Sequence, residues 1–269
     1  MKEADSGVLL VGHGTHSPRG QRSFLKLAEL LAARLAPLPV EPAFLEIAEP
    51  TIAQGIAALA RRGAARFVAL PLLLFAAGHA KRDIPAALTA AVAGSRLEFC
   101  LGEHLGCDEG MVELSRRRFT EALQQRPAMP AADTCLLLVG RGSPDDGATA
   151  EMRQFARLRG LSEADMAVEV AFLAMAQPRV GEVIARLAAS RYRRIVVQPH
   201  LLFHGDLAEG LAAQVAAVRA KNSRQEWLLA PLLADDLGEG GPADELLVAL
   251  LAGRYHSAAI RIVATSGQG

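Results

Sequence analysis

The sequence has few aromatic side chains and no net charge, and both shortages exclude classes of protein. Aromatic residues make up 4% of the 269 residues, whereas hydrophobic residues make up 51%. The core must therefore be built from Ala, Leu, Val and Ile, which is typical of helices packed on a parallel sheet. Lys plus Arg and Asp plus Glu both number 29. This balance favours neither nucleic acid nor a membrane surface as a partner.

Cysteine is scarce as well, and long apolar runs are missing. Cys100, Cys107 and Cys135 form no Cys-x-x-Cys pair, which argues against a disulfide framework, a zinc knuckle or an iron–sulfur cluster. We expect them to serve as small apolar residues in the reducing cytosol. The first seven residues leave no room for a signal-peptide apolar region, and the apolar stretches are too short to span a bilayer. We therefore predict a soluble, cytoplasmic protein.

One stretch near the start has the pattern of a strand, a tight loop and a helix start. An apolar run from Leu9 breaks into Gly12-His13-Gly14 and then reaches Ser17-Pro18. Ser17 is a typical N-cap, and Pro18 is typical of a first helical turn. His13 then lies at the carboxyl end of a strand, where open α/β sheets bind ligands. A loop histidine without a chemical role is the alternative interpretation.

The same pattern returns 128 positions later, with Gly140 in the place of Gly12. The match continues without a gap through Leu73-Leu74-Phe75 and Leu201-Leu202-Phe203. We infer a tandem duplication of one α/β unit, with helices on both faces of a parallel sheet and the two units facing a shared cleft. The predicted boundaries are an N-terminal unit over 1–126, a C-terminal degenerate repeat over 134–253 and a tail over 254–269.

Finer predictions concern particular elements. Residues 67–75 form a continuous apolar run that predicts a buried strand. Residues 126–133 contain two prolines and predict a linker. In the tail, residues 260–263 have a β-like composition, and the Ser/Gly-rich end is expected to fray.

Three polar residues of the first copy are missing from the second. They are His13, Glu46 and His79, which are matched by Arg141, Ala174 and Leu207. Each of the three follows a predicted strand, so in a parallel sheet they can converge at one edge. Two imidazoles and a carboxylate suit a borderline divalent metal, or a base beside one. Taken singly, each has a plain alternative as a loop or helix-capping residue.

Basic residues differ between the copies in the same way. They are Arg19, Arg22, Lys81 and Arg82, which are matched by Gly147, Ala150, Glu209 and Gly210. The first copy therefore carries a cationic rim suited to an anionic ligand.

The remaining histidines have weaker claims to a site. We expect His16 and His104 to be surface residues. His200 and His204 follow the third predicted strand of the second copy, and a position facing the cleft stays open for both.

Three motifs together resemble the sirohydrochlorin chelatases of the CbiX/SirB type, within the class II chelatases. They are Gly12-His13-Gly14-Thr15, Phe44-Leu45-Glu46 and the stretch from Pro71 through His79 to Pro85. The resemblance extends over nearly the whole chain, and the degenerate second half resembles the long, duplicated members.

This resemblance implies ATP-independent insertion of Co2+, or alternatively Fe2+, into sirohydrochlorin for cobalamin or sirohaem biosynthesis. His13, His79 and Glu46 would be the catalytic and metal-binding residues. The carboxylates of the macrocycle would be bound by Arg19, Arg22, Lys81, Arg82 and, from the second copy, Arg141. The metal is a substrate and no organic cofactor is implied, consistent with the lack of a P-loop sequence. We expect a monomer, because the duplication places both halves in one chain.

Two other function classes compete with this interpretation. A non-catalytic metal or tetrapyrrole carrier would use the same ligands, and only turnover separates it from an enzyme. Gly12-His13-Gly14 with Ser17 narrowly misses the dinucleotide fingerprint, whose third glycine would be at position 17. Glu46 comes too late to be the ribose-binding acid, which argues against a Rossmann oxidoreductase.

Overall fold

The computed structural model describes residues 5–161 and 165–266, except for the side chains of residues 79, 80 and 262–266. The strands are β1 (Ser6–Gly12), β2 (Val40–Phe44), β3 (Arg66–Pro71), β4 (Glu98–Leu101), β5 (Thr134–Gly140), β6 (Ala167–Phe172), β7 (Arg194–His200) and β8 (Glu226–Leu229). The helices are α1 (Pro18–Leu35), α2 (Ile52–Arg61), α3 (Ile84–Val92), α4 (Glu109–Ala122), α5 (Asp146–Leu161), α6 (Val180–Ala188), α7 (Asp206–Lys221) and α8 (Pro242–Ser266).

The strands form two four-stranded sheets with equivalent orders, β2-β1-β3-β4 and β6-β5-β7-β8. All pairings are parallel, and Gly12 pairs with Phe44 just as Gly140 pairs with Phe172. The expected fold class, two tandem parallel-sheet α/β units, is confirmed. Parallel strands require crossover helices, so their carboxyl ends all emerge at one edge of each sheet.

In each unit the central strand is buried on both faces. In β1, Leu9 and Val11 pack against α2 and α3 in one apolar cluster, while Val8 and Leu10 lie on the opposite face, and all four are fully buried. Successive side chains of a strand point to opposite faces, so this continuous apolar run requires helices on both sides. In β5, Cys135 belongs to the equivalent cluster. Burial there raises the pKa of its thiol to about 12, in keeping with its expected role as a small apolar residue.

The compact units do not follow the predicted boundaries at 126, 134 and 254. The first unit combines the described residues up to Gly106 with those from Asp236 onward, and the second runs from Cys107 to Asp235. Helix α4, expected to complete the first unit, therefore belongs to the second. Helix α8 belongs to the first unit and replaces the predicted division at residue 254 and the β-like run over 260–263. The end of the tail that was predicted to fray, from residue 267 onward, lies outside the described residues.

Specific side chains explain where α4 lies. Gln198 on β7 donates from Nε2 to both the carbonyl and hydroxyl oxygens of Ser115, at 2.9 Å each. Arg118, only 1% exposed, donates to the carbonyl oxygen of Leu233 at 3.0 Å and to Glu121 at 2.8 Å. Burying a guanidinium is costly unless it is hydrogen-bonded and paired. These partners lie in the second unit, so α4 is specified to pack there.

Helix α8 is anchored in the same manner within the first unit. It packs against α1, β3 and β4. Arg254 donates to the Glu103 carboxylate at 2.9 Å and to the carbonyl oxygen of Leu105 at 3.3 Å. Each unit is thus completed by a helix whose sequence belongs to the other repeat.

Two smaller predictions also differ from the structure. The strand predicted over 67–75 ends at Pro71, and an irregular loop follows it. The predicted linker over 126–133 includes a short 3-10 helix, Ala131–Asp133. No helix within the described ranges is long and apolar enough to cross a bilayer.

Candidate functional site

The carboxyl edge of the first sheet brings two of the predicted ligands together. His13 directly follows β1, and Glu46 is two residues beyond β2, which is the neighbouring strand. The Nε2 atom of His13 lies 3.3 Å from Oε1 of Glu46. The Glu46 side chain is 50% exposed and the His13 side chain 22% exposed, with both ring nitrogens of His13 buried.

Backbone contacts hold these two loops side by side. The amide of Leu45 donates to the carbonyl oxygen of Gly12 at 2.9 Å, and the amide of Glu46 donates to that of His13 at 3.1 Å. Gly14 has a φ of 107°, and a Cβ atom placed on it would lie 1.8 Å from the carbonyl oxygen of Glu46. Only glycine tolerates both this backbone conformation and this close approach. Gly14 is therefore required for the contact between the loops.

The loop then leads into α1 through the predicted cap. The Ser17 side chain accepts a hydrogen bond from the amide of Gly20 at 3.3 Å, and Pro18 occupies the first turn. Gln21 donates from Nε2 to the carbonyl oxygen of Thr15 at 2.7 Å. The predicted helix start at Ser17-Pro18 is confirmed, and these bonds fix the loop that carries His13.

The third predicted ligand, His79, opens a π-helical turn, His79–Asp83, that leads directly into α3. Its side chain lies outside the described residues. The amide of Leu72, directly after β3, donates to the carbonyl oxygen of Val11 at 2.8 Å, so the loop that leads to His79 leaves the sheet beside β1. Single π-helical turns are rare and frequently occur at functional sites.

Among the side chains that the structure describes, no group of three or more His, Cys, Asp or Glu is arranged to hold a metal ion. Of the three predicted ligands, the described side chains bring two together, His13 and Glu46. The third predicted ligand is His79, whose side chain is outside the described residues.

The predicted basic residues lie in exposed positions around this edge. Arg19 and Arg22 are in the first turns of α1, whose first turn contains no acidic residue. Lys81 and Arg82 belong to the π-helical turn. A helix N-terminus already attracts anions, and adding cations there opposes the helix dipole. The arrangement is unfavourable for the helix itself but favourable for an anionic ligand.

The second unit keeps the backbone geometry of this edge without the predicted ligands. Gly142 has a φ of 87°, and a Cβ atom on it would lie 1.8 Å from the carbonyl oxygen of Ala174. The amide of Ala174 donates to the carbonyl oxygen of Arg141 at 2.8 Å. Asp145 caps α5 by accepting from the amide of Ala148 at 3.3 Å. Arg141 and Ala174 thus occupy the positions of two predicted ligands, between loops that are joined by the same two backbone hydrogen bonds as in the first unit.

The other histidines of the two units differ in their exposure. His16 is exposed and His104 is partly buried. His200 is 1% exposed, and its ring centroid is 4.3 Å from that of Phe155. This burial lowers its pKa to about 3, so the ring is neutral near pH 7 and does not reach a ligand. The sequence had left open a position for His200 facing a ligand, and the burial of its ring argues against it.

His204 has a partner that the sequence did not indicate. Its Nε2 lies 2.6 Å from Oδ1 of Asp235, and both side chains are about a quarter exposed, at 23% and 26%. The two residues follow β7 and β8, 31 positions apart, and no periodic pattern in the sequence links them. Their pairing is visible only in the folded unit.

A model of the CbiX family matches residues 7–122 and 135–238, which are parts of both repeats. The chain belongs to the CbiX family. The resemblance inferred from the histidine motifs is therefore confirmed, and the match to both halves agrees with the duplication.

Relatives in this family carry names for two metals. A sirohydrochlorin cobaltochelatase of Priestia megaterium is 31% identical over 225 residues, covering 83% of this chain and 72% of that protein. A sirohydrochlorin ferrochelatase of the same organism is 32% identical over 235 residues, covering 86% of both chains. Among solved structures, SirB from Bacillus subtilis with Fe3+ matches at a TM-score of 0.81 and 25% identity, over 98% of each chain.

Proposed function

We propose that this CbiX-family protein is a sirohydrochlorin chelatase, which inserts Co2+ or Fe2+ into sirohydrochlorin without ATP. The observation that carries the proposal is the 3.3 Å approach of His13 Nε2 to Glu46 Oε1 at the carboxyl edge of the first sheet. Relatives named for cobalt and for iron, at 31% and 32% identity, support the activity and keep both ions in the proposal.

In this proposal His13, Glu46 and His79 hold the metal ion before it enters the macrocycle. Imidazole nitrogen with carboxylate oxygen is a donor set that suits borderline divalent ions such as Co2+ and Fe2+. The Glu46 side chain is half exposed, so an ion can reach it from water and leave it for the macrocycle; the His13 ring beside it is 22% exposed, with both of its nitrogens buried. The metal is a substrate, and so the site must release it.

Insertion of one divalent ion displaces two pyrrole N–H protons from the macrocycle. When the ion passes from an imidazole to a pyrrole nitrogen, the lone pair that held it becomes available for one of these protons. Glu46, with a side chain 50% exposed, passes the other to water. The same residues thus deliver the metal and accept the protons, and no nucleotide is needed.

The basic residues bind the carboxylates of the substrate in this proposal. Arg19, Arg22, Lys81 and Arg82 carry the cations on the first unit, and Arg141 carries one on the second. Support comes from the duplication, because α5 has Asp146 in its first turn where the first turn of α1 has no acid. A guanidinium binds a carboxylate through two parallel hydrogen bonds, which orients as well as attracts it.

We further propose that one chain is a complete enzyme with one metal site. The second unit has Arg141 and Ala174 at the matched ligand positions, and neither side chain binds a cation. Metal titration is then expected to saturate near one ion per chain, with sedimentation giving a single chain per particle. Two equivalent sites, or a dimer that activity requires, would contradict this arrangement.

The test is an anaerobic assay of the purified protein with sirohydrochlorin and either Co2+ or Fe2+, followed by the absorbance of the macrocycle. We expect many turnovers per chain, and the ratio of the two rates identifies the preferred metal. H13A and H79A should abolish insertion, whereas H256A, an exposed histidine on α8, should not. A carrier would instead bind metal or macrocycle stoichiometrically and release no metallated product.

A further inference from the structure

The second unit contains an open cavity of about 530 Å³ at the carboxyl edge of its sheet. It lies between the loop from β5 to α5 and the loop from β6 to α6, and its lining includes Ser143, Asp146, Arg153, Met175, Gln177 and Arg179. This volume falls within the range of small-molecule sites. The proposed reaction does not use these residues.

The duplication provides a reference for the charges in this cavity. Arg153 takes the place of Leu25, Arg179 that of Thr51, and Gln177 that of Glu49. Relative to the first copy, the second has gained two guanidinium groups and lost one carboxylate at these positions. It has gained one carboxylate, Asp146, where the first copy has Pro18. At these four positions of the cavity the net change is toward positive charge, although the same edge has lost the matches of Arg19 and Arg22.

Arg179 stands where the first unit has a residue that caps a helix. In the first unit Thr51 caps α2, with its hydroxyl accepting the amide of Gln54 at 3.3 Å. Arg179 holds the same position before α6, but a guanidinium has no acceptor atom and cannot cap. Loss of a threonine cap destabilises a helix. A residue that weakens the helix start yet carries a charge into a cavity is better explained by a ligand than by folding.

Arg153 is held on the same wall of the cavity. It donates from Nη2 to the carbonyl oxygen of Gln177 at 3.1 Å, two residues before Arg179. That bond uses one of the five N–H groups of the guanidinium and leaves the others for a ligand. It places the guanidinium of Arg153, a residue of α5, beside the loop that carries Arg179.

An apolar side chain completes the cavity. Met175 is 54% exposed, and its φ of 56° turns the loop at this point. A thioether beside two guanidinium groups offers contact to the body of a ligand as well as to its charges. Ligands with an apolar body and peripheral carboxylates match this combination.

We propose that this cavity is an anion site that takes the carboxylate groups of a ligand. The inference rests on the proposed function insofar as sirohydrochlorin, a macrocycle with peripheral carboxylates, is the candidate ligand. A free polycarboxylate such as citrate offers the same chemistry, and the experiment separates the two sources.

The experiment measures equilibrium binding without metal, so it does not depend on turnover. Sirohydrochlorin binding is followed by absorbance and citrate binding by calorimetry, at low and at high salt. Each of R153Q and R179Q should weaken carboxylate binding about tenfold at low salt, as expected for a lost charge-assisted hydrogen bond. The double variant should also lose most of the salt dependence. R219Q, which removes an exposed arginine from α7, is the matched control and should bind like the wild type.

One further variant separates binding from folding. R179T restores the residue that the first copy uses as a cap, so it should raise the melting temperature while weakening carboxylate binding. If the double variant loses affinity for sirohydrochlorin, and citrate competes with sirohydrochlorin for the wild type, the cavity is assigned to the macrocycle. If the double variant loses affinity for citrate alone, the cavity is assigned to a free polycarboxylate. Unchanged affinity for both ligands in the double variant overturns the proposal. Chelatase activity retained in that case would leave the proposed function intact.

Discussion

Glu46 is tied to His13 twice, once through the side chains and once through the backbone. The 3.3 Å distance between Nε2 and Oε1 is accompanied by a hydrogen bond of 3.1 Å from the Glu46 amide to the His13 carbonyl oxygen. The loops after two neighbouring strands are therefore held together at the point where the two predicted ligands emerge. In the proposed function, this arrangement lowers the cost of ordering the two loops when the ion arrives.

The first prediction concerns the carboxylate of this pair. E46A should lower the affinity of the protein for Co2+ by at least about tenfold, since even the loss of a residue that merely supports a metal ligand has that effect. Calorimetric titration with Co2+ in the absence of macrocycle measures it. E49Q is the matched control, because Glu49 lies in the same loop and the second copy has Gln177 at this position. Equal affinities for E46A and E49Q would remove Glu46 from the site.

The second prediction uses the two equivalent glycines, Gly14 and Gly142. Both glycines have a positive φ. An alanine at either position would place its Cβ atom 1.8 Å from a carbonyl oxygen of the facing loop. G14A and G142A should each lower the free energy of unfolding by about 1–3 kcal/mol, the typical cost of such strain. Only G14A separates His13 from Glu46. Denaturant unfolding should therefore show similar losses of unfolding free energy for both variants, whereas calorimetry should show a lower affinity for Co2+ in G14A alone.

The third prediction concerns Arg141, the exposed residue that replaces His13 in the second copy. If it binds a substrate carboxylate, R141A should raise KM for sirohydrochlorin with little change in kcat, because it contributes to binding and not to metal transfer. Steady-state kinetics at fixed metal concentration measure this, with R219Q as the exposed-arginine control. A fall in kcat at unchanged KM would show that Arg141 acts in the chemical step.

Much of the local structure could be predicted from the sequence, since it depends on neighbouring residues. The cap at Ser17, the strand before His13 and the repeat at Gly140 all follow from short patterns of polarity and turn chemistry. The convergence of His13 and Glu46 followed from one general rule, that parallel strands end at the same edge. The duplication then selected the polar residues that we propose to carry chemistry.

Contacts between distant segments could not be predicted in this way. Nothing near Ser115 or Arg118 in the sequence indicates that α4 meets Gln198 and the carbonyl oxygen of Leu233, 83 and 115 positions away. The apolar spacing of α4 does not indicate which sheet the helix covers. The polar groups that bind it, on Gln198 and Leu233, belong to a later part of the chain.

The fourth prediction follows from this exchange of helices. A fragment of residues 1–126 keeps the first sheet but lacks α8, and its Arg118 keeps Glu121 but lacks the carbonyl oxygen of Leu233. It should not unfold cooperatively as a monomer, because the apolar surface that α8 covers on β3 and β4 and the face of α4 that packs on β7 are both left exposed to water. Mixing it with a fragment of residues 127–269 should restore a cooperative transition, measured by circular dichroism. A stable monomeric fragment 1–126 would show that the repeat boundary is also a folding boundary.

The last prediction concerns His200, the buried histidine of the second unit. Its pKa is about 3 in the folded chain against 6.5 as the ordinary value, because burial disfavours the charged ring. Below pH 6.5 the unfolded chain binds a proton at this residue that the folded chain does not. Stability is therefore complete above about pH 6.5 and is lost as the pH falls toward 3, at up to about 1.4 kcal/mol per pH unit.

The repeat supplies the substitution that tests this pH dependence. The matched residue in the first copy is Leu72, which is also buried, at 3% exposure. H200L should flatten the dependence of the unfolding free energy on pH between about 6.5 and 4, whatever its effect at pH 7.5. Urea unfolding of both proteins at several pH values measures the difference in slope. H256Q, at an exposed histidine, should keep the wild-type slope, and an unchanged slope in H200L would assign the acid sensitivity to other groups.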